Sequence, residues 1–298
     1  MRLSHGRFHT RVFAGAIALV TLPSAALAQS TPAGVMKQDS ATSGKTDVAS
    51  DGFATAAKKA DANDVTEAKI QAGGLSASGN SRSLALTSMG TVRVRRTANE
   101  YSAAAAVNYG RSAAKPGEPM QTTIENYQGK LRYDRFLTDP LAVFISLSGR
   151  RDRFQGLDLR LNLDPGVAYY FIQNPKHQLW GEAGYDWQYD IRRDETIDAA
   201  LAEGTLLSKD KSRHSGRLFA GYRNSLNEAV TFNTGVEYLQ CLTDMDFWRF
   251  NWDIGLTAAL AAKFSLATTF SLRYDHHPLP GVESTDTLTA LNLVYQLL

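Results

Sequence analysis

Three adjacent residues, Asp275, His276 and His277, carry the side chains best suited to chemistry. A carboxylate beside an imidazole can work as an acid–base pair, and imidazoles are common zinc ligands. Neighbouring residues of a strand point to opposite faces, however, so the two histidines are poorly placed to hold one ion. The G-x-S-x-G and H-E-x-x-H hydrolase motifs are also missing from the sequence. The sequence therefore predicts no catalytic residue, metal or cofactor, and a hydrolase is the least favoured alternative.

A second set of charged residues recurs at every other position of the chain. In segment 246–260, DFWRFNWDIGLTAAL, Trp248 and Trp252 share one side while Arg249 and Asp253 share the other. Side chains of a β-strand alternate between its two faces, so this segment is predicted to be a strand with one apolar and one charged face. The run is longer than the roughly 5–6 residues that are usual for a strand in a globular protein.

The same alternation recurs in twelve segments from residue 68 onward. The second, fourth, sixth, eighth and tenth connections between them are short, and all the long connections are among the others. Short periplasmic turns, longer outer loops and an even strand number are typical of bacterial outer-membrane barrels. We therefore predict an all-β fold, an antiparallel up-and-down transmembrane barrel of about 12 strands.

In each strand, the alternate positions that carry charged residues, which we call the charged parity, must face the barrel interior. Placing an Arg or Lys on the lipid face near the midplane would cost about 2–4 kcal/mol. A soluble barrel or sandwich would reverse the two faces, but strand length, even count and loop alternation disfavour it. The side chains predicted to line the lumen are Arg132, Arg160, Glu182, Asp186, Arg217, Glu237, Arg249, Asp253 and Arg273.

Two functions are open for such a lumen. Charges of both signs can pair across strands, stabilise the wall and largely close the bore, which gives a structural envelope protein with at most a thin water path. The alternative is a porin-like channel or transporter for small polar solutes. The mixed charges favour the paired network, because a dedicated ion pore would carry rings of a single sign.

The outer surface is predicted to contact membrane lipid and lipopolysaccharide. The expected lipid-interface anchors are the aromatic residues Trp187, Tyr189, Trp248, Phe250 and Trp252. Arginines at the outer rim suit lipopolysaccharide phosphates, although a solvated rim without a ligand explains them equally well. These rim residues are Arg151, Arg153, Arg192 and Arg193.

The N-terminal part of the chain is predicted to lie outside the barrel. Residues 1–28 have a basic start, a short apolar run and a small-residue cleavage site, which is the pattern of a secretory signal peptide. Residues 29–67 are predicted to form a disordered periplasmic linker with one short helix near 53–62, and residues 68–298 form the barrel. Removing the three arginines of the signal peptide changes the formal net charge from +2 to −1, which gives no indication of nucleic-acid binding.

Several segments carry a family likeness. The runs QAGGLSASGNSRS, RDRFQGLDLRLNLDPGVAYYF and FSLRYDHHPLPGVESTDTLTALNLVYQL resemble the domain-of-unknown-function 481 family over about residues 69–298. That family's naming as salt-induced outer-membrane proteins implies a barrel in the outer membrane of a Gram-negative bacterium and a role in salt or osmotic adaptation. An outer-membrane barrel is expected to be inserted by the barrel assembly machinery, which usually reads a terminal aromatic residue. This sequence departs from that practice, and Tyr295 and Leu297 are the expected substitutes.

Overall fold

The computed structural model describes most of the predicted barrel region. The described residues are 64–78, 82–115, 117–153, 155–278 and 283–297. The predicted signal peptide, the linker up to residue 63 and the helix expected near 53–62 lie outside these ranges. The first strand begins at Asp64, ahead of the boundary predicted at residue 68.

Within these ranges twelve antiparallel strands form one closed barrel, which confirms the predicted fold. The strands are β1 Asp64–Ala77, β2 Arg82–Arg96, β3 Asn99–Ala113, β4 Gln121–Phe136, β5 Leu141–Asp152, β6 Leu157–Gln173, β7 His177–Arg192, β8 Asp210–Ser225, β9 Val230–Cys241, β10 Trp248–Ala259, β11 Phe264–Asp275 and β12 Thr285–Gln296. Each strand pairs with its sequence neighbours, and β1 pairs with β12 to close the cylinder. Among the described residues, this closing seam has four registered positions, against fourteen between β1 and β2.

The connections differ in length at the two ends of the barrel. We call the end with connections 97–98, 137–140, 174–176, 226–229 and 260–263 the short-turn end, and the opposite end the long-loop end. The longest connection, 193–209, holds helix α1, Asp194–Ala202. Among the described residues, no helix has the length and apolar character needed to cross a membrane.

The strand around Pro165 is more regular than the sequence indicates. A proline cannot donate to a β-ladder, so a bulge is expected at this position. The structure has no bulge there, since Pro165 pairs with Ile145 of β5 without a register shift. On the β7 side the registered pairs pass from Leu163–Trp187 to Gly166–Gly184, so the proline does interrupt that ladder. The register shifts of β6 lie at its ends, between Leu157 and Leu159 and between Tyr170 and Ile172.

The two faces of the wall have opposite character, as the charge argument predicts. Leu131 and Leu218 are 59% and 58% exposed on the outside, whereas the adjacent Arg132 and Arg217 are each 4% exposed on the inside. The arrangement places the apolar parity toward lipid and the charged parity toward the lumen. A soluble barrel would require the reverse arrangement.

The inner wall is shaped by a glycine pair between β6 and β7. Gly166 and Gly184 are directly paired, and a Cβ added at Gly166 would lie 2.6 Å from the Phe144 ring. A Cβ added at Gly184 would lie 2.6 Å from the carbonyl oxygen of Pro165. Gly166 therefore leaves the space in which the Phe144 ring packs, and Gly184 allows the close approach of the β6 backbone.

Gly184→Ala is expected to lower the free energy of unfolding by about 1–3 kcal/mol, because the new methyl group overlaps a backbone oxygen that cannot easily move. The measurement is the urea midpoint of refolded protein, followed by tryptophan fluorescence. Gly129→Ala is the matched control, since nothing lies within 4 Å of a Cβ built at Gly129. Equal midpoints for the two variants would contradict the packing argument.

Candidate functional site

A chain of buried ion pairs crosses the lumen, which we call the central chain. Arg132 donates to both carboxylate oxygens of Asp134 at 2.9 and 2.7 Å and places Nη1 3.0 Å from Glu182 Oε1. Arg217 donates to Glu182 Oε2 at 2.8 Å and to Glu237 Oε1 at 2.6 Å. The five side chains alternate in sign, so each inner member lies between two opposite charges.

The central chain joins parts of the barrel that are not neighbours in the sheet. Arg132 lies on β4 and Glu182 on β7, with two strands between them, so their contact crosses the interior. Their side chains are 1% and 0% exposed. A water-filled bore at this level would leave these groups accessible to water, so the structure shows a lumen that is packed here.

A second tier of ion pairs lies closer to the long-loop end. Arg160 donates to both oxygens of Asp190 at 2.7 and 2.8 Å. Arg273 holds Asp253 in the same bidentate manner, at 2.8 and 3.0 Å. In addition, Arg249 lies 3.5 Å from Asp186. All nine side chains predicted to line the lumen thus lie on the inner wall and take part in one of the two tiers.

A polar cavity of about 210 Å³ extends from the central chain past the second tier toward the long-loop end. We call it the vestibule. Lys130, Asp164 and Glu237 line its deep end, and Asp275 and Ser284 lie at its mouth. Charged groups of both signs therefore surround a space that is large enough only for a small solute.

Below the central chain, toward the short-turn end, the lumen is filled by aromatic rings that the sequence reasoning missed. This aromatic plug consists of Phe136, Phe144, Tyr170, Trp180 and Phe219, each at most 6% exposed. Ring centroids are 5.8 Å apart for Phe136 and Tyr170, 6.5 Å for Tyr170 and Trp180, and 6.0 Å for Trp180 and Phe219. These are distances typical of aromatic packing in a protein core.

The central chain and the plug pack against each other. The Arg132 guanidinium lies 4.0 Å from the centre of the Phe144 ring, and the Arg217 guanidinium 5.6 Å from that of Phe219. Arg95 covers Phe136 in the same way at 3.9 Å. Cation–π contacts in a site without water are worth about 2 kcal/mol or more. The arginines therefore hold the carboxylates on one side and the aromatic rings on the other.

The sequence contains a signal for the plug. Tyr170, Trp180 and Phe219 fall on the same inward parity as the charged residues of their strands. At these three positions the inward parity is therefore apolar like the outward one, although Gln178 and Arg223 nearer the turns are polar. Loss of alternation at one end of several neighbouring strands indicates a filled lumen.

A further charged group was also missed, on the β1 to β3 side of the barrel. Arg93 lies 3.3 Å from Glu67 and 3.7 Å from Glu100, and Arg95 lies 3.8 Å from Glu100. Glu100 is completely buried. Like the other lumen charges, these residues alternate with apolar residues, Val92 and Val94, on β2.

The five predicted interface anchors all lie on the outward face. Trp187 and Tyr189 stack with centroids 6.2 Å apart. Trp248 stacks on His276 at 5.1 Å, and Trp252 meets Phe270 edge to face at 6.3 Å. Phe250 belongs to the same outward parity of β10, between the two tryptophans. Together they form an aromatic band in the half of the barrel near the long loops.

The predicted rim arginines divide into two groups. Arg151 and Arg153 are exposed, and Arg153 lies 3.4 Å from Glu125. Arg192 was predicted to face lipopolysaccharide, but the structure places its side chain inward. It is buried and donates to the Ser208 carbonyl oxygen at 2.9 Å. Folding of the 193–209 connection over the rim gives Arg192 this partner, which strand alternation alone does not predict.

The fourth rim residue, Arg193, is also engaged within the protein. It donates to Asp158 at 3.0 Å and to Glu195 at 2.9 Å, which ties the beginning of α1 to β6. Lys209 adds a hydrogen bond to Asp194, and this bond raises the pKa of the lysine above its ordinary value. Arg193 thus stabilises the long loop through neighbouring carboxylates.

Asp275, His276 and His277 do not assemble into a catalytic set. The Asp275 carboxylate accepts the backbone N–H of His277 at 3.0 Å, and the His277 ring lies 4.8 Å from that of Phe247. His276 packs on Trp248 as described above. Within the described part of the chain, no three His, Cys, Asp or Glu residues are grouped to hold a metal ion.

A closed antiparallel barrel with a charged interior and an apolar exterior is the architecture of an outer-membrane β-barrel protein. The chain belongs to the family described as "Protein of unknown function, DUF481", whose model matches residues 70–297. This match confirms the family resemblance found in the sequence. No curated protein matches the chain.

The solved structures to which the chain is similar include a porin, an outer membrane channel and an autotransporter translocator domain. The NanC porin is 12% identical with a TM-score of 0.49, over 77% of this chain and 100% of NanC. An outer membrane channel from Pseudomonas putida F1 is 11% identical with a TM-score of 0.43, over 80% and 96% of the two chains. The translocator domain of the autotransporter NalP from Neisseria meningitidis is 14% identical with a TM-score of 0.40, over 84% and 96%. At this level of similarity, function has to be argued from the lumen itself.

Glu182→Gln is expected to destabilise the barrel by about 3–5 kcal/mol, because it leaves Arg132 and Arg217 buried with one carboxylate each. The urea midpoint of refolded protein measures this change. Glu195→Gln is the control: it removes an Arg193 partner on the exposed helix and is expected to leave the midpoint almost unchanged. Similar midpoints for both variants would show that the central chain does not stabilise the barrel.

Proposed function

We propose that this protein is a structural barrel of a Gram-negative outer membrane whose lumen is closed in its resting state. The observation that carries the proposal is the Glu182 carboxylate, which bridges Arg132 and Arg217 across the lumen directly above the aromatic plug. Opening a water path would require these ion pairs and the ring packing to separate together. Loss of a single partner from a buried pair costs about 3–5 kcal/mol, so an open state is rarely populated.

The charge arrangement supports a closed barrel over a selective ion pore. Along the central chain, positive and negative groups alternate, so its described residues do not form a ring of a single sign. Ion-selective pores use such rings to favour one charge over the other. The charges of the central chain instead neutralise one another.

The second candidate function is a narrow channel for small polar solutes, and the vestibule favours it. A cavity of about 210 Å³ that opens at the long-loop end gives such a solute an entry site. Passage would then require the central chain and the plug to open. Enzymatic hydrolysis lacks comparable support, since the carboxylate of Asp275 holds a backbone N–H and His276 packs on Trp248.

The remaining partners follow from the outer surface. Arg151 and Arg153 are exposed near the long-loop end and suit the phosphates of lipopolysaccharide. Leu297 is 40% exposed, whereas Tyr295 is half-buried and packs on Phe264 with centroids 4.8 Å apart, so Leu297 is the more accessible of the two to the barrel assembly machinery. A role in salt or osmotic adaptation is the physiological part of the proposal. Its test is the survival of a deletion strain after a shift to high salt, with and without the gene restored.

Planar-bilayer recording tests the closed lumen. Wild-type protein is expected to give no stable conductance steps, whereas Glu182→Gln combined with Phe219→Ala is expected to give them, because the pair removes the bridge and part of the plug. Trp252→Ala is the control, since it removes an aromatic residue of the outer face. Stable steps from wild-type protein would favour the channel function.

The proposed orientation places the long-loop end outside the cell. A protease site inserted in the 193–209 connection is expected to be cleaved on intact cells, while the same site in connection 226–229 is cleaved only after the outer membrane is permeabilised. The reverse pattern would show that the barrel has the opposite orientation. Recovery in a soluble periplasmic fraction would contradict the membrane location.

A further inference from the structure

The lipid-facing side of strands β6 to β10 has an apolar recess of about 420 Å³, which we call the outer groove. The outer groove lies on the outer face of the barrel wall. Members of the central chain and the aromatic plug lie on the inner face of these strands. The side chains that shape it are Tyr169, Phe171, Gly181, Ala183, Ala220 and Tyr238.

Cross-strand pairing explains the concave shape. Tyr169 of β6 pairs with Gly181 of β7, and Gly181 pairs with Ala220 of β8. Small residues therefore form the floor beside a large aromatic side chain. Tyr169 and Phe171 meet edge to face at 5.1 Å and form one wall, and Tyr238 of β9 forms the opposite wall. The recess is thus a consequence of residue size on a continuous sheet.

The character of the groove identifies the chemistry of its occupant. Phe171 and Leu218 are 63% and 58% exposed at its edge, and its volume lies within the range of about 300–1,000 Å³ typical of small-molecule pockets. An empty apolar recess loses dispersion contacts on all its surfaces, so a hydrocarbon chain is the favoured filling in a bilayer. A polar ligand would find no hydrogen-bonding side chain on the floor formed by Gly181, Ala183 and Ala220.

The groove leads toward a polar, cationic site at the short-turn end. From Gly181 to His177, β7 covers four residues, or about 13 Å. There the Nδ1 of His177 lies 2.9 Å from the Tyr222 hydroxyl, and Lys176 is exposed on the adjoining turn. Lys176 directly precedes His177 in the sequence, and an exposed lysine at the end of the barrel wall suits a phosphate group. The distance is compatible with one lipid that occupies both sites.

We propose that the outer groove binds a phospholipid, with one acyl chain between Tyr169 and Tyr238 and the phosphate at Lys176 and His177. The inference rests on the proposed membrane location. The proposal assigns one defined lipid site to the outer face. The rest of that face is expected to make only non-specific contacts with lipid. A second copy of the chain is the competing occupant, which the experiment distinguishes.

Native mass spectrometry of the refolded full chain, exchanged into detergent with dimyristoyl phosphatidylglycerol, tests the proposal. Wild-type protein is expected to retain one lipid. The double variant Ala183→Leu with Ala220→Leu fills the floor and is expected to lower the lipid-bound fraction about tenfold. The matched control is Ala105→Leu, which enlarges another exposed alanine on β3 outside the groove.

A second pair of variants tests the phosphate site. Lys176→Glu is expected to weaken retention, whereas Lys263→Glu, which changes an exposed lysine on another turn at the same end, is expected to leave it unchanged. Heat-modifiable gel migration shows whether each variant has folded as a barrel. Two results would overturn the lipid site. One is equal lipid retention by Ala105→Leu and by the double variant Ala183→Leu with Ala220→Leu. The other is a wild-type dimer that this double variant dissociates. Failure of wild-type protein to form a heat-modifiable barrel would instead overturn the proposed function.

Discussion

The burial of the Glu182 carboxylate between Arg132 and Arg217 is the interaction on which the interior of this barrel depends. A charge removed from water is tolerated only where opposite charges and hydrogen bonds compensate its lost hydration. Both arginines meet that requirement for Glu182, and Asp134 and Glu237 meet it for the arginines. Each member of the central chain can therefore stay buried only because its neighbours of opposite charge are also in place.

The arginines also explain why a charged network and an aromatic cluster can share one lumen. A guanidinium is planar and weakly hydrated, so it can stack on a ring while its edge donates to carboxylates. Arg132 does both, toward Phe144 and toward Asp134 and Glu182. A lysine at this position would supply the charge without the flat surface, and the plug would lose its cover.

The strand order, the number of strands and the face of each strand followed from alternation and loop length, because a lipid exterior permits only one assignment of charged residues. Which charges meet across the lumen did not follow. Arg132 and Glu182 are 50 positions apart on strands that are not paired, and their contact depends on the diameter and stagger of the closed barrel. Phe144 and Trp180 were not predicted as lumen residues because they lie on the inward parity, which elsewhere in their strands carries polar and charged side chains. Arg192 was misplaced because its partner, Ser208, comes from a loop whose path has no periodic signal.

The closing seam determines how this cylinder would come apart. Among the described residues it has four registered positions between β1 and β12, against fourteen in the β1–β2 ladder, and a shorter ladder is held by fewer backbone hydrogen bonds. The central chain and the plug brace β4 to β9, on the other side of the barrel. Under mechanical load or heat, the wall would therefore split lengthwise along this junction into a curled twelve-stranded sheet, with the braced strands separating last.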